Sequence, residues 1–342
     1  MILRDLQLRN FRCFQSIAVE FEEGFNFIVG PNGRGKTTLL EAACVLLRLQ
    51  SQRAPNLMPA VRAGQHSFVL SGHADAHLLQ FYYSALRRKV AFDTVEQRDP
   101  AEYLRLLRVV SFANHDLELV RGAAEGRRRY LDFVGTQVDA RYRPTLRAYD
   151  RALRSRNALL RSAALRPREL KAYTESLVRT GTLLREMRTA LVKRLAPGAA
   201  ASHRAISGDQ ETLILEYAPG SEEDFAAHLE RTRANEERLR LTTVGPHRDD
   251  LRLQVQDMPA AAFASEGQQR TIALALKLAQ ARVFTEETAT GPLLLIDDIF
   301  GELDHSRRNA LLAHLPSDSQ KLVTATALDW CADEWKGPVL RL

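Results

Sequence analysis

No apolar run in this 342-residue sequence approaches the roughly 20 residues that a helix needs to cross a bilayer, so a membrane-spanning protein is not expected. The opening segment MILRDLQLRNFRCF is too charged, and too short in its apolar part, for a secretory signal, and a cytoplasmic protein is expected. Cysteine is scarce: Cys13, Cys44 and Cys331 are odd in number, scattered and without CxxC spacing, which argues against a disulfide framework or a zinc site. They are read as reduced, mostly buried thiols. Histidine is equally dispersed. His66, His73 and His77 group loosely, but no carboxylates accompany them at ligand spacing, so surface or capping roles are expected. What remains is 45% hydrophobic and 26% charged, a mixture that excludes a disordered or collagen-like chain and is long enough for two domains.

Charge is unevenly placed along this chain. In total, 48 Lys and Arg stand against 42 Asp and Glu, a net of +6. Between Arg121 and Arg204 there are 20 basic residues, 18 of them Arg, and 7 acidic ones, so this window carries +13 and the remainder −7. That asymmetry is expected where one region meets a polyanion; its plainer reading is an Arg-rich helical surface.

The same window has helical periodicity. Apolar residues recur at Tyr130, Val134, Val138, Tyr142, Leu146, Tyr149 and Leu153, with Pro144 expected to kink or split the helix. Arg166-Pro167 marks a turn. A second stripe, from Leu170 through Leu177, Leu184 and Leu191 to Leu195, predicts a helix over 168–195, about 42 Å long and ended by Pro197-Gly198. Two such helices joined by a short turn predict an antiparallel arm with arginines outward, of which Arg147, Arg151, Arg154 and Arg161 are the candidates for polyanion contact.

The chemistry is concentrated at the two ends of the chain. FNFIV (Phe25 to Val29) is β-prone and leads into Gly30-Pro31-Asn32-Gly33-Arg34-Gly35-Lys36-Thr37, followed by an apolar helical stretch from Thr38 to Leu49. This is GxxxxGKT between a strand and a helix, the context the phosphate-binding loop requires. The glycines let backbone N–H groups turn toward phosphates at a helix N-terminus. Lys36 is placed for the β and γ phosphates of ATP, and the Thr37 hydroxyl, with Thr38 beside it, for Mg²⁺.

Far downstream, LLLIDD (Leu293 to Asp298) is an apolar run ending in two carboxylates, as in a strand buried on both faces whose C-terminal end meets a ligand. Asp297 is expected at Mg²⁺, and Asp298 is free to position or deprotonate an attacking water. The two motifs lie 261 residues apart, from Lys36 to Asp297, too far for small GTPases or nucleoside kinases, and no NKxD guanine motif is present. SEGQQR (Ser265 to Arg270) precedes a helical run, and Ser265 with Gln268 makes a capping box. The segment is also similar to the SxGQ core of the ABC ATPase signature. That resemblance implies that Ser265, Gly267 and Gln268 of one protomer face the γ-phosphate held by the other. Gly301-Glu302-Leu303-Asp304 looks like the loop that follows in those ATPases, and Thr324 or Thr326 stands where transporters carry a switch histidine.

Together these motifs resemble the RecF family of recombination-repair proteins, bacterial relatives of the ATPase heads of SMC proteins. The resemblance spans essentially the whole chain. It rests on Leu8-Arg9-Asn10-Phe11-Arg12, the phosphate loop, RRRYLD from Arg127, Gly245-Pro246-His247-Arg248-Asp249-Asp250, SEGQQR and LLLIDDIFGELD. It implies a weak, DNA-stimulated ATPase that dimerises with ATP, binds duplex and gapped DNA and, with RecO and RecR, helps load RecA in repair and replication restart. It further implies that Arg12 approaches the nucleotide phosphates; His247 is given no role, and the charges of Arg248 and the paired Asp249-Asp250 suit either joining the two lobes or facing the nucleotide. The family's Pro-Glu-Asp loop is replaced by Asn114-His115-Asp116, where no Mg²⁺ ligand is assigned.

The expected fold class is α/β: an ABC/SMC-head-like P-loop ATPase lobe with a mixed sheet, and an inserted all-helical lobe. The ATPase domain is expected over 1–116 plus 236–342, with strands such as Ser67 to Ser71 and Leu79 to Tyr83, and the Arg-rich helical domain over 117–235. Alternatives are a DNA binder with negligible turnover and an ABC transporter subunit, the latter needing a membrane partner and a switch histidine. An ATPase-coupled Toprim nuclease would need more than the 38 residues that follow Asp304.

Overall fold

In β1 (Asp5–Phe11), Leu6 and Leu8 are buried while Gln7 and Arg9 are exposed, the alternation of a sheet with one wet face. By contrast β3 (Phe25–Val29) is buried along almost its whole length, as a strand covered on both faces must be. The structure, a computed structural model, describes residues 2–54, 56–106, 108–162, 166–208, 211–287, 291–331, 335 and 337–342. They form two compact units, Met1–Asp116 with Gln280–Leu342, and Leu117–Ala279.

The first unit opens with β1 and β2 (Phe14–Glu20). These join β4 (Ser67–Ala74), β5 (His77–Ser84), β6 (Arg88–Phe92) and β7 (Val95–Glu96) in an antiparallel sheet of order β2-β1-β4-β5-β6-β7. Between β3 and β4 lies helix α1 (Lys36–Arg48), almost every residue of which is buried. Helix α2 (Ala101–Leu106) and β8 (Val109–Ala113) close this half. Of the thiols, Cys44 is buried and Cys331 half-buried, but Cys13 is exposed, against the expectation of burial, because it sits in the tight β1–β2 connection.

The second unit contains α3 (Glu118–Arg121), α4 (Ala124–Val138), α5 (Tyr142–Arg161), α6 (Pro167–Ser207), β9 (Leu213–Ala218), α7 (Phe225–Leu239), β10 (Asp250–Val255), β11 (Met258–Pro259) and α8 (Ala260–Phe263); α9 (Glu266–Glu287) begins in it. Tyr142 meets Arg188 and Arg156 meets Thr174, so α5 and α6 run antiparallel. Tyr149 and Ala152 pack with Leu177 and Leu184 between them. The chain breaks between α4 and α5 at residues 139–141, ahead of Pro144, which occupies the first turn of α5, where a missing N–H is harmless.

Pro197-Gly198 does not end α6. The helix runs 41 residues, about 62 Å, and stops at Gly208, whose left-handed φ of 78° forms the cap. An interior proline costs about 3 kcal/mol; here the buried face that includes Leu195 continues past it, with Ala199 and Ile206 buried. One further detail differs from an all-helical insertion: β9 lies within 117–235 and pairs with β10, in a small antiparallel sheet of order β11-β10-β9. That pairing draws residues 236–279, expected with the ATPase domain, into the second compact unit.

Back in the first unit, β12 (Leu293–Asp297), β13 (Lys321–Ala325) and β14 (Val339–Arg341) complete a parallel sheet of order β14-β3-β13-β12-β8, with α10 (His305–His314) between β12 and β13. Register aligns Asp297 with Thr324 on one side and Ala113 on the other. The phosphate loop, the paired carboxylates and Asn114 therefore all leave the sheet at its C-terminal edge, where α/β sheets bind ligands.

Candidate functional site

From the end of β3 the chain turns through Gly33 and Gly35, at φ 82° and 98°, conformations that favour glycine. At Gly35 a Cβ would also come within 2.5 Å of the Phe14 ring. Helix α1 starts immediately afterwards. The Lys36 ammonium, 6% exposed, donates to the carbonyls of Gly30 at 2.6 Å and Pro31 at 3.2 Å, and to Asn32 Oδ1 at 3.4 Å. Thr37 Oγ1 donates to Asp297 Oδ1 at 2.9 Å, and Thr324 Oγ1, on the neighbouring strand, donates to the same oxygen at 2.8 Å. Thr324 thus holds the strand-end carboxylate, while Thr326 is exposed beyond β13.

Asp298 adopts a left-handed φ of 52°. Burial raises its pKa above that of a free aspartate, Lys36 opposes the shift, and the neighbouring Asp297 and Glu302 add to it. Asn114 Nδ2 donates to Glu302 Oε1 at 2.6 Å, and the buried Asp116 accepts from the Ala113 N–H, so the 114–116 loop is tied locally. A cavity of about 600 Å³ is lined by Asn32, Gly33, Gly35, Lys36, Thr37 and Thr38 together with Asp297 and Asp298. Arg12, Cys13, Arg53, Pro59, Val61 and Ala63 also line it. Gly30 and Pro31 support it through their carbonyls, and Arg34 is exposed on the loop.

Thr37 and Asp297 present a hydroxyl and a carboxylate side by side. That hard-oxygen set suits Mg²⁺, which takes one or two protein oxygens and completes its shell with phosphate and water. Among the described residues no three His, Cys, Asp or Glu side chains converge as a metal cluster. Sequence reasoning missed Glu41. It is the one carboxylate in the apolar run of α1 and was itself the available signal: it is buried and receives the Arg12 guanidinium.

The second unit carries its own clusters. The Ser265 N–H donates to Gln268 Oε1 at 2.7 Å and the Gln268 N–H to Ser265 Oγ at 3.3 Å, a reciprocal capping box at the start of α9. Gln268 Nε2 also donates to Glu211 at 2.5 Å, Ser265 is exposed, and Gly267 is half-buried. The Gly245–Asp250 segment is internal to this unit. Asp249, 1% exposed, accepts from Arg188 at 2.7 Å and from the Tyr217 hydroxyl; Asp250 pairs with Arg127 at 2.6 Å. Arg188, itself 2% exposed, also pairs with Asp132 at 2.8 Å. The aspartates thus bind α4 and α6 to the 245–250 segment. His247 lies between the Tyr149 hydroxyl and the Thr242 carbonyl, and burial lowers its pKa.

Arg151, Arg154 and Arg161 lie 4, 7 and 14 positions after Arg147 in α5, one stripe of a helix, and all four are exposed. None forms an ion pair with a carboxylate among the described residues. In contrast Arg156, on the opposite face, is buried and paired with Glu236 at 2.7 Å.

Residues 2–332 match the family model of the RecF/RecN/SMC N-terminal domain. The chain is similar to the DNA replication and repair protein RecF of Symbiobacterium thermophilum, 36% identical with 98% of this chain and 94% of that one covered. It is also similar to the RecF protein of a Cyanothece species, 36% identical with the same coverage. Among solved structures it resembles the recombination mediator RecF bound to ATP in the RecFOR pathway, with TM-score 0.87, 27% identity, and 95% of this chain and 92% of that one covered. The Smc head domain of Pyrococcus furiosus, 15% identical with TM-score 0.53, shares the fold over 95% of this chain and 89% of its own.

Proposed function

The chain belongs to the RecF family, within the RecF/RecN/SMC N-terminal group, and from that premise we propose that it is an ATP-dependent DNA-binding protein of replication and recombinational repair. The observation that carries the reading is the meeting of Thr37, Asp297 and Asp298 beside Lys36 at the C-terminal edge of the parallel sheet. Glycine-rich backbone from Gly30 to Gly35 cradles phosphates, and Lys36 exchanges loop carbonyls for β and γ oxygens. Thr37 and Asp297 would hold Mg²⁺, which when bound would neutralise charge developing on the transferred phosphoryl group. Asp298, its pKa raised, accepts a proton from the attacking water, giving ADP and phosphate.

Ser265, Gly267 and Gln268 act in trans. The exposed Ser265 hydroxyl and the α9 N-terminus meet the γ-phosphate on a second protomer, so ATP draws two copies together and hydrolysis releases them. Functionally, the ATPase domain comprises 1–116 and 236–342, and the exposed stripe of α5 contacts duplex and gapped DNA through phosphates. RecR and RecO are the expected partners, RecA the downstream beneficiary, and the cytoplasm the site of action; the RecFOR pathway named for the RecF neighbour supports this. Sedimentation tests the trans site: Ser265→Arg should bind ATP but remain monomeric, and an ATP-dependent dimer of that variant refutes it.

A second reading has its own observation. Asp298 is one methylene shorter than a glutamate would be, and its shorter reach to an attacking water favours ATP exchange over turnover. Steady-state hydrolysis with and without DNA, compared with Asp298→Asn, separates the two: equal rates in both proteins support the second reading.

A further inference from the structure

The Arg12 guanidinium is held by its edges. Nε and Nη2 donate to the two oxygens of Glu41 at 3.0 and 2.7 Å, and Nη1 donates to the Pro59 carbonyl at 2.9 Å. The Glu41 side chain is 1% exposed, and its carboxylate also accepts from Ser51 Oγ at 2.6 Å and from Arg53 at 3.4 Å. The backbone is fixed as well, since Arg12 adopts φ 52° and its N–H donates to the Ala60 carbonyl at 2.8 Å.

A guanidinium bound in this way has its nitrogens engaged at Glu41 and Pro59 and little freedom to swing toward a phosphate, although the one Glu41 carboxylate is shared with Arg53 and offsets only one of the two charges. What it retains is a flat face. Arg12 lines the same cavity as the phosphate loop, together with Pro59, Val61 and Ala63, and no aromatic side chain is among the described lining residues. A nucleotide whose phosphates lie on Lys36 and Thr37 must place its base somewhere along this cavity, and bases seek a flat, polarisable surface. We propose that Arg12 is the stacking platform for the purine base of the nucleotide, and that Glu41 is the positioning residue that holds this platform flat. This deepens the reading that the phosphate loop binds ATP and rests on it. It also moves Arg12 from the phosphate end of the ligand, where the family resemblance put it, to the base end.

Two ligands separate those ends: ATP, and inorganic tripolyphosphate, which has the phosphates but no base. Binding of each to the full chain with Mg²⁺ is measured by calorimetry. Arg12→Ala and Arg12→Lys should each weaken ATP about tenfold and leave tripolyphosphate unchanged within about twofold. Lysine is the sharper variant, because it keeps the charge beside Glu41 but has no planar face. Glu41→Gln should also weaken ATP severalfold at constant tripolyphosphate affinity, whereas mere disturbance of the phosphate-loop helix would weaken both. Full ATP affinity in Arg12→Lys, or parallel loss of tripolyphosphate in any of the three, overturns the proposal. Lys36→Ala should remove both ligands. If it removed neither, the phosphate-loop reading itself would fall, a failure distinct from that of the stacking platform.

Discussion

Lys36 in the phosphate loop and Arg188 in the helix pair are both buried cations, 6% and 2% exposed, yet their surroundings differ in kind. Lys36 rests on the neutral oxygens of Gly30, Pro31 and Asn32, with no ion pair to a described carboxylate, so its charge is available to a ligand. Arg188 is enclosed by Asp132, Asp249 and the Pro246 carbonyl, and its charge is spent inside the unit. A positive charge is therefore offered to an anionic group only where the protein leaves it without a carboxylate partner. The same distinction divides the basic window. Arg127, Arg156 and Arg188 are structural, while Arg147, Arg151, Arg154 and Arg161 are exposed and form no ion pair among the described residues.

Breaking the comparison on the structural side should give the largest effect. Arg188→Ala leaves Asp249 buried without its cation, a situation that costs about 3–5 kcal/mol. Chemical denaturation should show that loss, and a change below about 1 kcal/mol would mean that the buried pair is dispensable. On the ligand side, Lys36→Ala should weaken ATP by about a hundredfold or more, since charge-assisted bonds of about 1.5–3 kcal/mol each are lost, while the unfolding midpoint stays unchanged. Calorimetry and denaturation of the one variant check both halves.

Asp298→Asn should slow turnover by at least about a hundredfold with ATP binding retained. Burial raises its pKa against the opposing charge of Lys36, so in the protein without nucleotide or Mg²⁺ the Asp298 carboxyl should titrate above the 3.8 of a free aspartate, which NMR titration checks. A carboxyl whose pKa is raised on folding stabilises below its unfolded pKa and loses that contribution as pH rises through the folded value. At neutral pH the asparagine variant should therefore melt no lower than the parent, and asparagine also tolerates the left-handed φ. The smallest effect is electrostatic: each exposed arginine neutralised should flatten the dependence of log DNA affinity on log salt by about 0.9 for every phosphate it no longer neutralises.

The candidate nucleotide site was legible because each of its two motifs is local in sequence, although they lie 261 residues apart. Glycines, Lys36 and Thr37 are contiguous, and the apolar run before Asp297 announces a doubly covered strand. The partners of Arg188 could not be read in this way, because Asp132 and Asp249 lie 56 and 61 residues away and periodicity reports only neighbours on one helix. Pro197-Gly198 gave a false stop, since propensity loses to the continued burial of Ala199 and Ile206. Glu41 was visible as a lone carboxylate in an apolar helix, but its meaning depends on Arg12, which reaches it from the β1–β2 connection.

Charge reversal of Arg147, Arg151, Arg154 and Arg161 to glutamate tests the division of labour most directly. ATP affinity and DNA affinity are measured on the same protein at one salt concentration. DNA binding should fall by at least about a hundredfold, because several backbone phosphates then meet carboxylates instead of guanidinium groups, with ATP affinity unchanged. DNA binding that survives, or an equal loss of both, would contradict that division.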